Sequence, residues 1–73
     1  MASITQRLID YIISYGVNQL QSELDKVKEI RVRIANTDVI FQKIFGYYRV
    51  VFKDKVYSAI NLQILVEKLQ NEL

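Results

Sequence analysis

"VIFQKIFG", Val39–Gly46, decides the fold, because it fits two periodicities at once. Its valine, isoleucine and phenylalanine content favours a strand. Yet Ile40, Phe41, Ile44 and Phe45 would share one face of a helix that Asp38 caps and Gly46 ends. The β-rich composition tips residues 39–45 toward a strand that bends or bulges at Gly46. A short helix is the alternative.

The segments on either side are plainer. "YYRVVF" (47–52) and "KVYSA" (55–59) are two β-rich runs that meet across Lys53 and Asp54, which reads as a hairpin. Lys-Asp is not a favoured pair for a two-residue turn, so a longer or bulged connection is expected. Alternation turns Tyr48, Val50 and Phe52 inward and leaves Tyr47, Arg49, Val51 and Lys53 outward. Upstream, "VKEIRVRIA" (27–35) alternates in the same way. Ile30, Val32 and Ile34 fall on one face, with Glu29, Arg31 and Arg33 on the other. Asn36, Thr37 and Asp38 supply the turn after it.

Helical periodicity occupies both ends. From Ser3 to Asp25, apolar residues at Ile4, Leu8, Ile9, Ile12, Ile13, Val17, Leu20 and Leu24 form a wide stripe. "SITQ" opens it as a capping box, with Ser3 accepting from the Gln6 amide and the Gln6 side chain reaching back. Gly16 interrupts the stripe at a cost of about 1 kcal/mol relative to alanine, marking a break or a close backbone approach. From Ser58 or Asn61 a second helix carries Leu62, Leu65, Val66, Leu69 and Leu73. The expected fold is a single α+β domain over residues 1–73. Its three-stranded antiparallel sheet has a long N-terminal helix and a C-terminal helix on one face, in α-β-β-β-α order. This order resembles that of double-stranded RNA-binding domains in topology alone. The last helix, "SAINLQILVEKL", has no cation before Lys68, whereas those domains start it with basic residues.

Composition narrows the chemistry. The 73 residues include no Cys and no His. Disulfides, thiolate or imidazole metal sites, and Ser-His-Asp or Cys-His catalysis are excluded. Gly16 and Gly46 are the only glycines, too far apart for a phosphate-cradling loop. Glu23, Asp25 and Glu29 lie close in sequence but beside Lys26 and Lys28, as in a solvated turn of mixed charge. A non-enzymatic protein without a cofactor is expected. No basic leader and no long apolar run is present, so the expected location is the cytoplasm, with no membrane partner.

Two functional readings remain. So short a chain buries only about 60% of its unfolded surface. Without disulfides or metal, a partner subunit is the natural source of further stability. On that reading the chain is a homo-oligomeric interaction module, most simply a homodimer, with protein as its partner. Ile9, Tyr11, Ile13, Tyr15, Val17, Leu20 and Leu24 would supply the oligomer interface. The alternative is a nucleic-acid-binding regulator. The net charge of +2 divides unevenly, with eight cations against three carboxylates between residues 26 and 55. Arg31, Arg33, Tyr47, Arg49, Lys53 and Lys55 would then form a basic sheet face that pairs with phosphates and stacks on a base. The two readings separate on whether those arginines stand free or are paired with acids.

Overall fold

Residues 39–44 are extended, with Phe45 in the turn that follows, and the sheet follows from that outcome. The computed structural model describes residues 3–73. The elements are α1 (Ile4–Tyr15), α2 (Val17–Val27), β1 (Glu29–Ile34), β2 (Thr37–Ile44), β3 (Tyr47–Phe52), β4 (Lys55–Ala59) and α3 (Leu62–Asn71). The strands form a four-stranded antiparallel meander in the order β1-β2-β3-β4. The sheet therefore has one strand more than expected, and the likeness of element order to RNA-binding domains ends there.

Each hairpin closes through two residues, and all six of these residues have positive φ: Ala35 and Asn36, Phe45 and Gly46, Lys53 and Asp54. Left-handed pairs of this kind match the right-handed twist of the flanking strands. The Lys53-Asp54 connection is thus tight, neither lengthened nor bulged. Gly46 sits in a turn and does not bend a strand. The first turn is Ala35-Asn36, so Thr37 and Asp38 already belong to β2.

Because every turn has two residues, the facing register is unbroken across the sheet. Ile30, Val32 and Ile34 share a face with Val39 and Phe41, with Tyr48, Val50 and Phe52, and with Tyr57 and Ala59. All three helices cover this face. The buried core joins Leu8, Ile9 and Ile12 of α1, Leu20 and Leu24 of α2, and Leu62, Leu65, Val66 and Leu69 of α3 to Val39, Phe41, Tyr48, Val50 and Phe52. Tyr11 stacks on Phe41 with ring centroids 6.0 Å apart, and Tyr57 on Phe52 at 5.9 Å.

Gly16 breaks the first helix. Its φ of 102° lies outside the helical range, and its amide donates to the Ile12 carbonyl as the cap of α1. The chain then restarts as α2, which runs to Val27 rather than giving way to a strand there. The break lets two short helices cover the sheet where one rod of the same length would overhang it. Ser3 Oγ accepts from the Gln6 amide at 3.1 Å, but the Gln6 side chain turns to Asp10 instead of closing the capping box. At α3, Asn61 Oδ1 accepts from the Ile64 amide and Gln21 Oε1 from the Leu62 amide, each at 2.8 Å. The latter bond ties α2 to the start of α3.

A Gly16→Ala variant tests the break. A Cβ there would meet the mobile Gln19 side chain at 3.3 Å, a minor obstacle, so the left-handed backbone dominates the cost. Urea melts followed by circular dichroism should show a loss of about 1–2 kcal/mol. An unchanged midpoint would contradict this account of the kink.

Candidate interaction surface

Among the described residues no helix covers the second face of the sheet, and the register orders its side chains in rows across the strands. One row is Glu29, Gln42, Arg49 and Ser58; the next is Arg31, Ile40, Val51 and Val56. Arg33 and Asp38 face one another beyond the second row, and Ile44 faces Tyr47 beyond the first. A solvated sheet face is ordinarily polar. Here Ile40, Val51 and Val56 form a continuous apolar row over three strands, and Ile44 with Tyr47 forms a second apolar patch. Val56 is 55% exposed and Tyr47 52%.

The cations on this face are largely engaged by its own acids. Arg31 Nε lies 2.9 Å from Glu29 Oε2, and the other Glu29 oxygen accepts from Gln42 Nε2 at 3.1 Å. The Gln42 amide and the Arg31 guanidinium hold the Glu29 carboxyl below the ordinary glutamate range. Arg33 Nη1 lies 2.9 Å from Asp38 Oδ1. Arg49, half-buried in β3, makes no ion pair or hydrogen bond among the described residues, and its Nε is buried without an acceptor. Lys53 is in the β3–β4 turn, and Lys55 faces Phe52 on the helix-covered side. Of the expected basic face, Arg31, Arg33, Tyr47 and Arg49 do share one surface. However, β2 separates the first two from the last two, and Lys53 and Lys55 do not join them.

The helical interface residues divide differently. Ile9, Leu20 and Leu24 are sealed in the core of this chain, because the stripe that carries them covers the sheet. Tyr11 and Val17 are half-buried at its margin, and Tyr15 packs 6.1 Å from Tyr11. Ile13, 55% exposed, is the most open of this set. Glu23, Asp25 and Glu29 form no carboxylate cluster among the described residues.

Asp25 instead latches α2 to the sheet. Its Oδ1 accepts from Lys43 Nζ at 2.6 Å and from the Tyr48 hydroxyl at 2.5 Å, while Lys43 lies 5.1 Å from the Tyr48 ring centroid. The hydrogen bond from Lys43, then that from Tyr48, lowers the Asp25 carboxyl below the ordinary aspartate range. Asp25 raises the Lys43 ammonium; burial first, then the bond to Asp25, raises the Tyr48 hydroxyl.

Phe45 is the outlier of the structure. At the tip of the β2–β3 hairpin it takes φ 52° and is 96% exposed. Position one of such a turn suits Asn, Asp or Gly, and a bulky side chain there is strained. Tyr47 and Val51 are legible as outward residues, but Ile40, Ile44, Val56 and Phe45 escape a sequence reading. Their signal is the β2 alternation, which is meaningful only once the turns are fixed at residues 35–36 and 45–46.

Two measurements follow. The Asp25 carboxyl is depressed, so its contribution is complete above the ordinary aspartate range and fades as pH falls through the lowered value. Stability should decline below about pH 4, and Asp25→Asn should flatten that acid limb in pH-dependent urea melts. The raised Lys43 and Tyr48 contribute below their ordinary ranges, so a second decline is expected on the alkaline side. Separately, Phe45→Asn should raise the unfolding free energy by about 0.5–1 kcal/mol in urea melts, by relieving the turn. A lower value would mean that Phe45 packs within its own chain.

The chain matches no protein-family model, and comparison with curated proteins and with solved structures returns no match, so its function is argued from this surface alone.

Proposed function

We propose that this chain is a non-enzymatic interaction module that acts as a homo-oligomer, most simply a homodimer, and that the uncovered face of its sheet is the contact. The observation that carries this reading is the apolar row Ile40–Val51–Val56, half-buried at Ile40 and Val51 and exposed at Val56, on a face that no helix among the described residues covers. Exposed apolar surface that is contiguous and rimmed by polar groups marks association sites. The flanking charges fit a second copy better than a polyanion. Arg31 and Arg33 are already paired with Glu29 and Asp38, whose carboxylates offset the positive charge that a polyanion would meet on this face. The helical stripe first expected to supply the interface serves the core instead. Ile13 and Tyr15 remain exposed on α1, two residues apart and so on different sides of the helix.

Sedimentation equilibrium of the wild type and of Val51→Lys tests the reading. The wild type should associate at tens to hundreds of micromolar, and the variant, folded by circular dichroism, should be monomeric. A wild-type monomer throughout that range, or an unchanged Val51→Lys dimer, would overturn it. The nucleic-acid alternative is tested in parallel by a salt series with generic single- and double-stranded oligonucleotides. Little binding at low salt is expected. Tight binding that falls steeply with salt, and that weakens on Arg31→Glu with Arg33→Glu, would favour the alternative.

A further inference from the structure

We infer that two copies pair sheet to sheet about a twofold axis that runs parallel to the strands between β2 and β3, so that β2 of each lies over β3 of the other. This rests on the homodimer reading above. The argument is row-by-row complementarity. A twofold along the strand direction keeps each cross-strand row at its own height and exchanges the strands, so every row meets itself. The apolar row then sets Ile40 over the second copy's Val51, and Val51 over its Ile40. The polar row sets Arg49 over the second copy's Gln42. Gln42 already donates its amide to Glu29, which leaves its carbonyl oxygen to accept, and Arg49 Nε is a buried donor without an acceptor among the described residues. At one end the Ile44–Tyr47 pair meets its twin.

The competing twofold runs across the strands and inverts the order of the rows. It would put the polar row on the apolar one, leaving Arg49 over Val51, and Ile44 and Tyr47 over charged residues. The first axis also brings Arg31 over the second copy's Val56, at the margin of the face; over the two central strands, where the competing axis sets Arg49 on Val51, the chemistry of the rows favours the first. Aligned sheets cross at about 30°, which displaces the ends of the face more than its middle. The two central rows are the ones that carry the match.

The size fits a weak contact. Four strands about 4.8 Å apart and six residues at about 3.4 Å give a footprint of roughly 20 by 20 Å. Two such faces amount to roughly 800 Å², the scale of weak, transient association. The β2–β3 hairpin tip lies beside the axis, so Phe45 of each copy comes near the other's tip. That accounts for an aromatic held at a strained, exposed turn.

Isotope-filtered NOE spectroscopy on an equal mixture of ¹³C-labelled and unlabelled chains tests the packing without relying on a variant. Cross-chain contacts from the Ile40 methyls to Val51, and from Ile44 to the Tyr47 ring, are expected. A dimer whose cross-chain contacts arise from Ile13 and Tyr15, or from the free edge of β1, would overturn this packing while leaving the homodimer reading intact. A monomer by sedimentation would remove both. In the same assay Phe45→Asn should weaken dimerisation at least several-fold, even as it steadies the turn, and unchanged dimerisation would overturn the role given to Phe45.

Discussion

Three consecutive two-residue turns constrain everything else in this molecule. A turn of fixed length leaves no freedom in register, and the strands carry no bulge that would shift it. The face of each side chain is thereby determined from one end of the sheet to the other. Inward residues are even-numbered in β1, odd in β2, even in β3 and odd in β4. A slip of one residue in any hairpin would carry Val39 and Phe41, or Val50 and Phe52, out to solvent. The burial of those residues under the helices and the tightness of the turns thus support one another. Neither would hold the register alone, because three of the six turn residues, Ala35, Phe45 and Lys53, are not the Gly, Asn or Asp that such turns favour, and are strained there.

The helices answer to the same constraint. A four-stranded sheet of this size presents a face roughly 20 Å square, and one continuous helix through Gly16 would have overrun it. The break lets α1 and α2 lie on the sheet with α3. The Gln21 bond to the start of α3 and the Asp25 bonds to Lys43 and Tyr48 fasten α2 at both of its neighbours. These polar links specify how the helices sit. The apolar core supplies the attraction between the layers, without selecting one arrangement as sharply.

How much of this can be read from the residues alone depends on where the information lies. Strands β1 and β3 are legible because their alternation is local: Arg31 and Arg33 must oppose Val32, and Tyr48, Val50 and Phe52 must share a side. The helical stripes are legible for the same reason, although the periodicity of Ile9, Leu20 and Leu24 does not say whether a stripe faces its own sheet or a twin. The Arg33–Asp38 pair requires the turn at residues 35–36. Placing that turn two residues later, as the Asn-Thr-Asp composition invites, hides the pair and makes Arg33 look free. The row Ile40–Val51–Val56 is less visible still. Each member is an ordinary β residue in its own strand, and only the register of three strands brings them together. The strain at Phe45 is a dihedral angle, and no composition records it.

Three departures from local preference gather on one side of the molecule. The core satisfies the usual rules: its side chains are apolar, buried and packed in layers. The uncovered face and its hairpin end hold an aromatic in a left-handed turn, an arginine without an acceptor, and apolar residues where polar ones would cost nothing. Each would be a small disadvantage to an isolated chain, and nothing in the fold requires any of them. Asn for Phe45, Thr for Val51 and Lys for Arg49 would all suit the monomer at least as well. A common cause is simpler than three separate ones, and a surface in contact with a second molecule removes all three at once. Contact through the helices would relieve none, because their apolar stripes already lie against the sheet.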